Sequence, residues 1–320
     1  MPIDTLGRHI DYLRISVTDR CNLRCRYCMP EEGVAQKSHD QMLSLEETVK
    51  VVELAAELGF HHIRLTGGEP LVRLGIIGLV RQIKAIAGIE SIAMTTNGIL
   101  LPKYGAKLKA AGLDRVNISL DSLDPAVYRM ITRGGKLEDA RAGIECALAL
   151  GLTPVKLNVV VIRRLQQDFK AMVELTRDAP LHLRFIEFMP VGQTEWSPDD
   201  TIRSADLLAA LPELVPVDPA DDPTGWGPAR YYRLPDAVGT VGFISSNSQH
   251  FCQRCNRLRL TSDGMLRPCL FSDLEYNLRD ALRERGPAAA RAVFEQAIAE
   301  KPDQHHDRVH TQRPMTAIGG

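Results

Sequence analysis

Short β-rich runs at 13–18, 63–66, 92–96, 115–120, 155–162 and 183–188 are separated by helical segments. Strands that alternate with helices build parallel β-α units with right-handed crossovers. Parallel strands covered on both faces normally read as continuous apolar runs, but in these runs apolar and polar side chains alternate. Leu13, Ile15, Val17, Ile63, Leu65, Val116, Ile118, Leu157 and Leu183 fall on one face, which suits packing against helices. Arg14, Ser16, Thr18, Arg64, Thr66, Thr95, Asn117, Ser119, Lys156, Asn158 and Arg184 fall on the other. If helices cover the apolar face, the polar face lines a lumen. Cations buried there are costly unless an anion or water meets them. The expected fold class is therefore α/β, a partial, open TIM-type barrel of parallel strands around a polyanionic ligand. A sheet with one solvated face is the alternative.

Ser44 and Glu47 make a capping box for a helix that Gly59 can close, and Gly112 and Gly151 follow helical stretches in the same way. Beyond Pro190 the pattern gives way to Pro- and Gly-rich sequence, notably at 218–227, which places a boundary there. The expected organisation is a barrel core over 1–190 and a C-terminal extension over 191–320. Strands are expected in the extension at 229–234, 240–244 and 257–260, with helices near 274–285 and 288–300. A barrel of roughly 250 residues plus an appendage accounts for a chain of this length.

With 39 basic against 40 acidic residues, no global field favours nucleic acid or a membrane surface. Asp4, Arg8, His9 and Asp11 near the amino terminus fit neither a signal peptide nor a transit sequence, and no apolar run reaches the length of a span. A cytoplasmic, soluble protein is expected.

The seven cysteines are an odd number and argue for thiolate ligands rather than a disulfide framework. Cys146 lies in an apolar helical stretch and reads as a small buried hydrophobe. Cys21, Cys25 and Cys28 directly follow the first strand, on the loop where α/β barrels keep their chemistry. Three thiolates at this spacing can bind three irons of a four-iron cube and leave the fourth to a small ligand. A structural zinc site completed by His39 is the alternative, although such sites usually pair their ligands as two close couples. Gly67-Gly68-Glu69-Pro70 follows the second strand, where absent side chains let backbone approach a ligand.

The spacing of Cys21, Cys25 and Cys28 with Tyr27, followed by the Gly-Gly-Glu-Pro stretch, resembles the radical S-adenosylmethionine (SAM) superfamily. The resemblance implies a 4Fe-4S cluster whose open iron is chelated by SAM. It also implies an injected electron that cleaves the sulfonium to give a 5′-deoxyadenosyl radical. Cys252, Cys255 and Cys269 form a second group. His250 could complete a zinc site there, but beside a first iron-sulfur centre a second 4Fe-4S cluster with its own open iron is the better reading. Arg257 and Arg259 alternate with Leu258 and Leu260, so both guanidiniums point the same way and suit phosphate.

Five segments together are similar to the branch of that superfamily which cyclises GTP at the start of molybdenum cofactor synthesis. They begin at Leu13, Arg64, Met94 and Phe251 and end in the terminal Gly319-Gly320. The resemblance implies that Tyr27, Gly68, Ser119 and Met189 contact SAM. It implies that Arg14, Arg64, Thr95, Lys156, Arg257 and Arg259 contact GTP, and Arg184 joins them from its place on the inner face. Arg14 and the Gly319-Gly320 tail are expected to take part in catalysis. Met189 shares the outer-face parity of Phe185, so its role requires the chain to turn past the strand end. His62 stands where the family often has Lys, which puts a triphosphate contact there in question. The implied partners are an electron donor of flavodoxin or ferredoxin type and a downstream cyclic pyranopterin monophosphate synthase, with a homodimer as a further expectation. A radical SAM enzyme for sulfur insertion or peptide modification is the rival reading.

Overall fold

The computed structural model describes residues 2–35, 37–192, 196–304, 311 and 313–319. Among these, one sheet gathers β1 (Tyr12–Ser16), β2 (His62–Thr66), β3 (Ser91–Thr96), β4 (Arg115–Ser119), β5 (Val155–Val161) and β6 (Leu181–Glu187). It continues through β7 (Val215–Pro216), β8 (Arg230–Arg233), β9 (Thr240–Ile244), β10 (Arg257–Leu260), β11 (Met265–Arg267) and β12 (Tyr276–Asn277). The order across it is β12-β11-β10-β1-β2-β3-β4-β5-β6-β9-β8-β7. Neighbours from β10 to β9 run parallel, and antiparallel strands extend both edges. The curved sheet does not close, so the expected open barrel is what the chain forms.

The alternation read from the sequence explains the two faces. Leu13, Ile15, Ile63, Leu65, Val116, Ile118, Leu157 and Leu183 are buried in one apolar core. Burying such an aliphatic side chain contributes about 1.5–3 kcal/mol. Helices α1 (Leu45–Glu57), α2 (Ile76–Lys84) and α3 (Leu101–Ala110) follow β1, β2 and β3, and α4 (Pro125–Thr132) and α5 (Leu137–Ala149) both follow β4. The capping box is present at α1: the Ser44 hydroxyl accepts from Glu47 N at 3.1 Å, and Ser44 N donates to the Glu47 carboxylate at 2.8 Å. Cys146 packs half-buried on α5 against Leu101, in agreement with its reading as a small hydrophobe.

The C-terminal residues form no separate layer. They add β7 to β9 at one edge and β10 to β12 at the other, so the connection 245–256, with Cys252 and Cys255, runs between the two edges. The Pro- and Gly-rich segment at 218–227 crosses the amino-terminal mouth of the lumen. Trp226 stacks on His62 with ring centroids 3.4 Å apart, and the Arg115 guanidinium lies 4.4 Å from the Trp226 centroid. Lys156 Nζ donates to the carbonyls of Pro223 at 3.2 Å and Thr224 at 2.8 Å. Pro and Gly are as useful for folding a plug as for marking a linker. Among the described residues no helix is long and apolar enough to cross a membrane.

Candidate active site

Strand register puts three guanidiniums in one row. Arg14 is paired in register with Arg259 on one side and with Arg64 on the other, and all three line the cavity. Like charges side by side on one sheet face repel. Burial, then Arg259 beside it, drives the Arg14 guanidinium well below its usual range, and burial, then Arg257, brings Arg259 down to about 10. Part of the repulsion is answered from within the chain. Arg64 Nε donates to the Tyr12 hydroxyl, and the Gly319 carbonyl accepts from Arg14 Nε at 3.3 Å and Arg259 Nη1 at 2.7 Å. Burial alone raises the Tyr12 phenol, yet Arg64, Arg14 and Arg257 together bring it down to about 8.

The expected substrate residues fall around this row. Thr95 Oγ1 accepts from Arg64 Nη1 at 3.3 Å, and Arg184 Nη2 donates to Asn158 Oδ1 at 2.6 Å. Lys156 points at the plug carbonyls instead of the main cavity. His62 lies under Trp226, in keeping with its departure from Lys. Among the described residues, buried Asn117 Oδ1 and Arg257 Nε on the cavity have no hydrogen-bond partner. Such groups are normally satisfied, so a polar ligand fits the vacancy in their bonding.

At the carboxyl ends of the strands Cys21, Cys25 and Cys28 face the same cavity. Gly67-Gly68-Glu69-Pro70 is stapled to the entrance of their loop: Gly68 N donates to Thr18 O and Glu69 N to Arg20 O, each at 2.8 Å. A Cβ on Gly68 would sit 2.2 Å from Arg20 O, so only glycine allows that approach. The buried Glu69 carboxylate accepts from Thr96 Oγ1 at 2.8 Å and Asn97 N at 2.7 Å, and burial raises it to about 7. Asn97, readable only as a turn residue, lines the cavity and reaches Asn22 at 2.8 Å. Tyr27 donates to Asp121 at 2.7 Å, while Ser119 and Met189 line the same wall. Met189 reaches it because β6 ends at Glu187 and the chain turns there.

Burial, with the other thiols and Asp121 nearby, pushes Cys28 up to about 12 and Cys25 well above the usual thiol range. Left alone these groups stay protonated, so a positively charged metal centre is what would make them thiolates. Among the described residues no three His, Cys, Asp or Glu gather tightly enough for a single ion. A cube of irons takes its thiolates at separate corners, and the two groups of three facing one cavity suit that donor set. The second group lies in the opposite electrostatic setting. Burial raises Cys255, but Lys301 and Arg257 outweigh it and bring the thiol to about 7.

The tail is docked by its own side chains. Ile318 is buried with Val191, Leu270 and Phe271, and Thr316 O accepts from Ser16 Oγ at 3.3 Å. Gly319 therefore lies among the cations, while Gly320, the other expected catalytic tail residue, falls outside the described residues.

Residues 15–176 match the model of the Radical SAM superfamily, and residues 181–307 match Molybdenum Cofactor Synthesis C. A GTP 3′,8-cyclase of Pelotomaculum thermopropionicum is 54% identical over 99% of both chains, and one of Alkaliphilus metalliredigens is 49% identical over 99% of both. The chain belongs to the GTP 3′,8-cyclase family. Membership in its superfamily brings with it a 4Fe-4S cluster and SAM. Streptococcus suis SuiB superposes with a TM-score of 0.61 at 14% identity, covering 94% of this chain and 67% of that one. Its SAM-bound form gives 0.59 at 15% identity, covering 84% and 63%. These two share the fold, and the family assignment rests on the cyclases.

Proposed function

We propose that this chain cyclises GTP to 3′,8-cyclo-7,8-dihydro-GTP, the first step of molybdenum cofactor biosynthesis. The observation that carries this reading is the row of Arg259, Arg14 and Arg64 on one cavity whose rim bears both cysteine groups. Cys21, Cys25 and Cys28 hold the SAM-binding cluster, and Cys252, Cys255 and Cys269 hold a second 4Fe-4S cluster that anchors the purine. Once loaded, the first centre and SAM would supply a 5′-deoxyadenosyl radical to take hydrogen from ribose C3′. Bonding of C3′ to guanine C8 then leaves one unpaired electron on the purine, which one further electron and a proton at N7 quench to give the dihydro product. Tyr27, Gly68, Ser119 and Met189 hold SAM against the first loop. Arg14, Arg64, Thr95, Arg184, Arg257 and Arg259 hold the nucleotide, and Lys156 joins them on turning from the Pro223 and Thr224 carbonyls. Placement within van der Waals reach of the attacking carbon matters more than acid-base assistance. The Gly319 carbonyl fixes Arg14 and Arg259, and Gly320 takes part in catalysis beside it in this reading.

In this reading residues 1–190 form the radical core, and 191–320 supply the second centre and the tail. A flavodoxin- or ferredoxin-like protein delivers electrons, a cyclic pyranopterin monophosphate synthase takes the product, and the chain works in the cytoplasm, with a homodimer as its proposed assembly. Peptide modification or sulfur insertion leaves so cationic a lumen without a purpose. Anaerobic incubation with reductant, SAM and GTP should give deoxyadenosine in a GTP-dependent yield together with a cyclised nucleotide by mass spectrometry. Deoxyadenosine indifferent to GTP, with no cyclised product, would sink the assignment.

The phosphate end carries a pH signature. Burial, then Arg184, Arg64 and Arg115, lowers the Lys156 ammonium to about 6. An arriving triphosphate raises it again, so binding takes up a proton between that value and the ordinary lysine range. GTP affinity should then fall as pH rises through this window, by up to roughly tenfold per unit. Calorimetry in Tris and in HEPES should show proton uptake near pH 8, and Lys156→Met should abolish it.

A further inference from the structure

Lys301 closes the helix Pro287–Ala299 at its carboxyl end and is almost wholly buried, with 5% of its surface exposed. Its Nζ donates to the carbonyl of Arg257 at 2.8 Å and to that of Pro268 at 2.6 Å. Those two carbonyls sit beside Cys255 and Cys269, so one ammonium ties together the loops that carry two of the second group's three thiols. The third is tied through Arg8, whose Nη1 donates to Cys252 O at 2.8 Å while its Nη2 donates to the carbonyls of Lys301 at 3.1 Å and Pro302 at 2.9 Å. Arg8 is itself neutralised by Asp4 at 2.5 Å. The charged groups that weigh most on Lys301 are the Cys255 and Cys269 sulfurs and Arg8.

A buried ammonium is costly unless an anion faces it. Carbonyl dipoles satisfy its protons but supply no net charge. The anion that fits the remaining side is the thiolate set of a bound cluster. The first group is built differently, with Asp121 beside Cys25 and Cys28 and with Glu69 and Arg24 as opposed charges beside Cys21. We propose that Lys301 is a positioning residue of the second iron-sulfur centre, holding the Cys255 and Cys269 loops together and offsetting the centre's negative charge. The proposal rests on the reading of Cys252, Cys255 and Cys269 as cluster ligands. A fixed positive charge beside a cluster favours its more negative, reduced state, so Lys301 raises the potential of the second centre relative to the first.

The test uses the full chain purified anaerobically, with iron and sulfide assay and an EPR-monitored redox titration. The triple substitution Cys252→Ser, Cys255→Ser, Cys269→Ser identifies the second centre's share of iron and signal. If it retains the parent's iron, the second-cluster reading itself is wrong. Lys301→Gln keeps a donor and removes the charge. It should lower the second centre's midpoint potential, or release only that centre's iron, while the SAM-sensitive signal of the first centre stays as in the parent. Lys301→Arg should keep iron and potential near the parent. Full iron and an unshifted second potential in Lys301→Gln would overturn the proposal with the cluster reading intact. Should Lys301→Gln lose both centres, Lys301→Arg decides: retention of both supports the charge role, and loss of both refutes it.

Discussion

Arg14→Ala is expected to lower GTP cyclisation by about 100-fold or more while leaving iron content and SAM binding near the parent values. Arg14 sits at the centre of the guanidinium row, between Arg259 and Arg64, and donates to the Gly319 carbonyl. Removing it takes away one of two donors on the tail and, on the proposed reading, a charge-assisted contact to the nucleotide. A preorganised donor at a reacting centre contributes roughly 2.7–4 kcal/mol, a factor of 100 to 1,000 in rate. Truncation also relieves repulsion in the row, so the protein should fold at least as well as the parent. Arg14→Lys keeps charge without the planar fork and should recover part of the loss. Single-turnover assays alongside iron analysis test this, and unaltered turnover in the alanine variant would remove Arg14 from the mechanism.

The second large effect concerns the tail. Gly319 has φ of 77° and closes the short helix Met315–Ile318 in the left-handed region, where a side chain is strained. A Cβ there would also lie 2.8 Å from Thr66 Cγ2. Gly319→Ala should therefore push the carbonyl away from Arg259 and Arg14, leaving two buried guanidiniums without their shared acceptor. Misplacement on the scale of 1 Å costs about 100-fold in a reaction governed by positioning. The expected signature is uncoupling: deoxyadenosine continues to form while cyclised nucleotide falls about 100-fold. Product quantification by mass spectrometry reads both. Proportional loss of the two would point to damage at the first centre instead.

The inner row was legible in the sequence because strand side chains alternate with a period of two, so Arg14, Arg64, Lys156 and Arg184 share a face whatever the curvature. Arg115, His62 and His182 share that parity too and could have been drawn from the same signal. Asn97 and Glu69 could not: an Asn-Gly pair is locally a turn, and the Glu69 carboxylate acquires its partners only when β2 and β3 lie side by side. Trp226 reaches His62 across 164 positions, so nothing near either residue announces the stack. The edge strands β7 and β12 have two residues each, too few for any periodicity to register. Lys301 is similar in kind, since a lysine after an amphipathic helix normally reads as solvent-exposed.

Among the described residues, the connection 245–256 leaves β9 on one flank of the sheet and arrives at β10 on the other. That connection acts as a drawstring on the chamber, beside the packing of Val191 on Leu270, Phe271 and Ile318 that also joins the two flanks. Lengthening it would admit a bulkier guest while every hydrogen-bonded ladder kept its partner, and shortening it would draw Cys252 and Cys255 further over the cavity. Variation in that stretch alone offers an economical route from one substrate shape to another on an unchanged scaffold.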